Sequence, residues 1–200
     1  MLPVADRGKG SNNMRYSMLV FVAIFALAGA CLVQAQPQGA PLDLVGDLKQ
    51  NYTAGKTKIM AAADQMPEAG YAFQPVPEER NFGQWVAHVA DLQAQFCGGV
   101  TGDTKQLGAA SKTTKADLVA ALKASFDMCD AAYDGTTAAN ANTDVQTFRG
   151  PRPRVSWLWF NVAHNEECYG SMAVYMRLQK LVPPSSQGRG GGGGKGKAKQ

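Results

Sequence analysis

Histidine is scarce in this chain. Two stand among 200 residues, so any imidazole chemistry must run through His88 and His164. Long apolar runs are also few. The clearest, Met18 to Val33, is too short and too early to read as a membrane span. β-Branched runs are sparse, and no Asn-Gly or Asp-Gly pair sits between alternating strands, so an all-β fold is disfavoured. Basic residues are missing where a nucleic-acid binder would need them. The formal charge is +4, but residues 36–184 carry 13 basic against 15 acidic side chains, a net of −2. Phosphate binding needs clustered positive charge, and no nucleic-acid partner is expected.

What is present begins with an export pattern. Arg15 precedes the apolar run, and Val33-Gln34-Ala35 offers small or short side chains to a signal peptidase, with cleavage before Gln36. Residues 1–35 are therefore expected to be a signal peptide. The mature protein would be periplasmic or extracellular, with no stable membrane span. A lipoprotein linked at Cys31 and an uncleaved anchor stay open as alternatives. Residues 36–184 form one domain, long enough to bury a core without metal or disulfide support. Residues 185–200 are rich in Gly and Lys and are expected to be disordered.

Four amphipathic helices are predicted in the body. The first runs from about Leu42 to Gln65, with a stripe of Val45, Leu48, Tyr52, Ile59 and Ala63; Pro67, Gly70, Pro75 and Pro77 follow it. The second starts at the cap Asn81, supported by Gln84 as a capping box, and is expected to bury Trp85, His88, Leu92 and Phe96 before stopping near Gly98-Gly99. A second capping box, Thr114 with Asp117, opens the third, whose stripe is Leu118, Leu122, Phe126, Cys129 and Tyr133. The fourth is predicted from Ser156 to before Pro183-Pro184, facing Phe160, His164, Cys168, Ser171, Tyr175 and Leu178 inward. Four such helices make an all-α four-helix bundle. The links between them exceed ten residues, more than antiparallel neighbours usually need, which permits a parallel pair.

His164 and Cys168 are four apart, on one helix face and about 6 Å apart along the axis. That spacing lets both close on one metal ion, and His88 from another helix could be the third ligand. Three protein ligands with an open position is the pattern of a catalytic zinc site; nickel, iron or copper would also accept a thiolate with imidazoles. Glu166 and Glu167 lie beside the pair as candidate partners or bases. The bland alternative is a hydrogen-bonded core histidine and a small buried hydrophobe. Arg149, Arg152 and Arg154 cluster before the fourth helix and could receive an anion. Asn51-Tyr52-Thr53 fits a glycosylation acceptor but falls inside a predicted helix.

The segment from Asn81-Phe82-Gly83-Gln84-Trp85 through His88-Val89-Ala90-Asp91 resembles the second-helix segment of the DinB family. His164-Asn165-Glu166-Glu167-Cys168-Tyr169-Gly170 resembles its fourth-helix motif, a His, three residues, then His-Tyr-Gly. Met66-Pro67-Glu68 through Pro75, and Tyr175-Met176-Arg177-Leu178 with Val182 to Ser186, are similar to other parts of the family, so the likeness runs from about Leu42 to Ser186. It implies a four-helix bundle of up-down-down-up topology, often dimeric, with a divalent metal held by three histidines. Carried onto this sequence, two ligands match, His88 and His164; the third family histidine falls on Cys168. The implied topology also sets Cys97 and Cys129 at the same level of parallel helices, so a Cys97–Cys129 disulfide is expected, with Cys168 free.

Two functions compete. The family includes thiol-dependent transferases and isomerases, which implies a metal-dependent transferase or hydrolase acting on a small-molecule substrate. Export sits poorly with thiol transfer, because low-molecular-weight thiols are mainly cytoplasmic. The alternative is a non-enzymatic structural or ligand-binding bundle whose metal site has decayed at Cys168.

Overall fold

The structure is a computed structural model that describes residues 43–187. The expected signal peptide lies outside the described residues, as does the tail beyond Gln187. Four helices dominate: α1 (Leu44–Gln65), α2 (Phe82–Thr101), α3 (Lys115–Asp134) and α4 (Arg154–Leu178). A two-residue antiparallel ribbon, Asp144–Val145 with Arg152–Pro153, sits in the link before α4. No described helix is long and apolar enough to cross a membrane.

The helix starts are set by side chains written into the sequence. The Asp43 carboxylate accepts from the Gly46 amide. Asn81 and Gln84 exchange both bonds of a capping box. Thr114 accepts from the Asp117 amide, but its hydroxyl donates to the Asp117 carboxylate, so the expected second capping box closes between side chains. Helix α2 passes through Gly98-Gly99 and stops one turn later at Gly102, which adopts φ 83° in the left-handed region that favours glycine. Helix α4 begins two residues earlier than expected, at Arg154.

The cross-helix contacts give the directions. Tyr52 on α1 bonds the Phe126 carbonyl and Asp130 of α3, while Lys115 at the other end of α3 donates to the carbonyls of Asp64 and Met66. These two helices are antiparallel. Helix α4 runs beside α1 in the same sense, with Lys58 on Glu166 and Gln65 on Gln187 after its end. Between α2 and α3 the disulfide Cys97–Cys129 joins equivalent levels, with Cα atoms 5.0 Å apart, so this pair is parallel. The topology is up-down-down-up, as expected. The long links are what carry the chain back along each parallel pair.

The core is continuous and includes Leu48, Ile59, Phe82, Val89, Phe96, Leu122, Phe126, Leu158, Met172 and Met176. The third-helix stripe is buried as expected. On α2 and α4 the buried face is rotated only in part from the expected one, since Phe96, Cys168 and Tyr175 are buried as expected. Trp85, His88 and Leu92 are half-buried, and Val86, Val89, Ala90 and Gln93 take the interior. On α4 the interior holds Leu158, Asn161, Val162, Asn165, Tyr169 and Met172; Phe160, His164 and Ser171 are half-buried and Leu178 is 53% exposed. The segment Pro184–Ser186 turns back onto the bundle, where the Ser185 amide donates to the Tyr169 hydroxyl. The ordered body therefore extends past the expected start of the tail.

A polar layer crosses the middle of this core. Asn165 donates to Gln93, Gln93 donates to Ser125, and Asn161 donates to both sulfurs of the disulfide, at 3.3 and 3.6 Å. Buried polar groups need such partners, since leaving one unpaired costs about 1–3 kcal/mol.

Candidate metal centre

The rotation of α2 and α4 puts His88 and His164 on the rim of the core. His88 stands two turns into α2, and α4 runs antiparallel past it, so that His164 and Cys168 arrive from one turn of the facing helix. The two Nε2 atoms are 3.2 Å apart, and the Cys168 Sγ lies 3.5 Å from the His164 Nε2. All three donor atoms fall within 4.8 Å of one another. The three residues singled out from sequence are thus brought together.

The spacing can be tested against a tetrahedral ion. With metal–nitrogen bonds of about 2.05 Å and a metal–sulfur bond of about 2.3 Å, tetrahedral angles require about 3.3 Å between nitrogens and about 3.6 Å between nitrogen and sulfur. The observed 3.2 and 3.5 Å match for the two pairs that share His164, while His88 and Cys168 are held only to within 4.8 Å and would have to draw together around an ion. The donor set, two imidazoles and one thiol, suits zinc and other borderline divalent ions. The residues fit the group.

Electrostatics follow from burial. Loss of water around His88 lowers its pKa to about 4, helped by the positive charge of Arg80 and by His164. His164 is lowered too, mainly by burial. Both imidazoles are neutral near pH 7, the state a metal needs. Burial, reinforced by Glu167, pushes the Cys168 thiol up to about 12. A protonated thiol there is the resting state without an ion, and coordination displaces that proton outright.

The neighbours decide access. Trp85 stands edge-on to His88 at 5.9 Å, and Phe96 lies 5.6 Å from the His164 ring. Tyr169 turns away from the centre, its hydroxyl held by Ser185 and its ring under Lys58. An open cleft of about 690 Å³ reaches His88 between α2 and the loop before it, lined among others by Glu78, Arg80, Gln84, Asp91 and Leu92. Asp91 is committed elsewhere, since its carboxylate accepts from the amides of Ala109 and Ala110. Of the two glutamates beside the pair, Glu166 is bound to Lys58 at 2.6 Å. Glu167 remains exposed on the solvent side.

The arginines singled out before α4 do not gather at the centre. Arg149 stacks over Phe160 at 4.5 Å, one turn before His164; Arg152 donates to the Pro151 carbonyl; and the Arg154 Nε is buried. The cation that does stand by the candidate ligands is Arg80, which lines the same cleft as His88. It sits in a Pro-rich stretch, and nothing in its local sequence marks it.

A mid-bundle His/His/Cys group on an up-down-down-up bundle defines a class of helical proteins with a candidate metal centre. The DinB superfamily pattern matches residues 52–170, more than half of the chain, and the protein belongs to that superfamily. Solved structures with the same fold include a DinB-like protein from Bacillus cereus ATCC 10987, at 19% identity and TM-score 0.58, covering 68% of this chain and 93% of that one. A DinB-like protein from Bacillus subtilis is 12% identical with TM-score 0.56, covering 68% and 94%. A mycothiol-dependent maleylpyruvate isomerase is 14% identical with TM-score 0.54, covering 64% of this chain and 60% of that one. Identities this low carry the fold alone. No curated protein matches the chain.

Proposed function

We propose that this protein binds one divalent metal ion through His88, His164 and Cys168, zinc first with nickel or iron as alternatives, and uses it to activate a nucleophile against a small-molecule substrate. The observation that carries the reading is the gathering of three metal-ligating atoms within 4.8 Å of one another, two of the pairs at tetrahedral spacing, beside a cleft that opens on His88. A bound ion supplies Lewis acidity that makes a thiol or a water nucleophilic at neutral pH. The chain's own contribution is to keep both imidazoles unprotonated, to orient them from two antiparallel helices, and to leave one side open to the cleft. The reaction class is transfer of a thiol or metal-assisted hydrolysis, in an exported protein.

The competing reading is a non-enzymatic bundle. It is favoured by the burial of Cys168, which is 1% exposed and packs as a core side chain when protonated. Metal content of the purified protein, with His88→Ala and Cys168→Ala beside it, separates the two. About one ion per chain, lost in both variants, supports the centre. No ion after reconstitution under reducing conditions leaves the structural reading.

A further inference from the structure

We infer that Arg80 is the ligand-binding residue that gives this centre a preference for molecules carrying a carboxylate beside their metal-binding group. The inference rests on the metal reading above and deepens it. Arg80 is exposed and lines the cleft that opens on His88. Its position is fixed: the Tyr175 hydroxyl of α4 donates to its carbonyl, and the next residue, Asn81, is the cap of α2. The guanidinium rests 4.8 Å from the Trp85 ring. Stacking on an aromatic face holds the flat group in place while leaving its N–H edge for hydrogen bonds.

That edge is unused. Among the described residues the ion pairs are Lys56–Asp130, Lys58–Glu166 and Lys123–Asp127, and none takes Arg80 although Glu78 and Glu79 adjoin it in the chain. A second donor is also missing an acceptor. The Trp85 indole N–H is buried with no partner among the described groups, on the ring that faces both Arg80 and His88. An oxyanion in the cleft beside His88 would meet the free edge of Arg80, while the indole N–H is buried and its ring is not part of the cleft lining. Arg80 and His88 line the same cleft and both meet the Trp85 ring, which places the guanidinium on the open side of His88. The opposing charges there are Glu78 and Glu79, exposed in the cleft lining, Asp91, whose carboxylate is held by the Ala109 and Ala110 amides, and Glu167 on α4, exposed and screened by water.

A carboxylate in contact with an arginine fork makes a charge-assisted, bidentate hydrogen-bond pair. At a half-exposed site such a pair corresponds to roughly a tenfold gain in affinity.

The test uses the full chain loaded with cobalt(II), whose visible spectrum reports the ligands and any added donor. Imidazole-4-acetate and 4-methylimidazole are titrated separately; both offer the same ring nitrogen, and one adds a carboxylate. The wild type should bind the acetate about tenfold more tightly. Arg80→Gln should bring the two affinities together, and Arg80→Lys should restore part of the difference. Taking the ratio of two probes cancels any change in the ion itself. A wild-type ratio near one, or a ratio that Arg80→Gln leaves unchanged, overturns the inference and leaves the metal centre standing. A protein that takes up no cobalt overturns the metal reading, and this inference with it.

Discussion

Reduction of the Cys97–Cys129 disulfide offers a quantitative test of the parallel α2–α3 pair. The bond spans a sequence separation of 32 residues. Closing a loop of that size removes chain entropy from the unfolded state equivalent to about 3.7 kcal/mol at 25 °C. Both sulfurs are fully buried, and each accepts a hydrogen bond from the Asn161 amide. Two separate thiols need more room than one bond, so the native state gains nothing on reduction. For a body of this size the loss should lower the melting temperature by about 10 °C. The assay is thermal unfolding of oxidised and reduced protein in a Cys31→Ser background, with thiols counted under denaturing conditions. The oxidised protein should show one thiol, from Cys168, which is free and buried. Three thiols in protein purified under oxidising conditions, or a shift below about 2 °C, would refute the reasoning.

Other outcomes follow from single contacts. Gly98→Ala sets a methyl group onto the Asp103 carbonyl oxygen, a backbone atom with little freedom, and should cost about 3 kcal/mol in urea unfolding. Asn81→Ala removes the side-chain acceptor of the α2 capping box and should cost about 1 kcal/mol by the same measurement. Metal uptake at pH 7 should release close to one proton per ion, all of it from the raised Cys168 thiol, because both imidazoles are already neutral. Calorimetry in buffers of different ionisation enthalpy reads this number, and release that persists in Cys168→Ala would contradict it. In the metal-free protein the depressed His88 pKa works against the fold in acid. Below the unfolded value of 6.5 the unfolded chain takes a proton that the folded ring refuses until about pH 4. Stability should therefore fall across that window, by about 1 kcal/mol once solvent screening of the half-exposed ring is allowed for. His88→Gln should flatten the slope.

The helices, their order and the three candidate ligands were legible because caps and apolar spacing are local signals. Asn81, Thr114 and the stripe from Leu118 to Tyr133 show this directly. The facing of α2 and α4 was harder to read. Apolar periodicity points to Trp85, Leu92 and Phe160, large residues that in fact line the rim, while the interior accepts small or polar ones such as Ala90, Gln93, Asn161 and Asn165. Those polar residues go inside because their N–H groups find acceptors on other helices, although the Asn161 and Asn165 side-chain oxygens stay without partners, and no single segment can display such pairing. The same rotation makes the histidines half-buried, reachable from the cleft where a core histidine would be sealed. Arg80 was missed for a related reason: its place beside His88 depends on how the Pro-rich loop folds back.

The ties between helices form an open chain. The disulfide fastens α3 to α2, and an ion at His88, His164 and Cys168 would fasten α2 to α4. Helix α1 has neither kind of fastening among the described residues; it is held by packing and by side chains such as Tyr52, Lys56 and Lys58. With α2, α3 and α4 linked as one unit, α1 is the member that can loosen alone. Its amides should exchange with solvent by local opening well before the others do, and removing the ion would free α4 next.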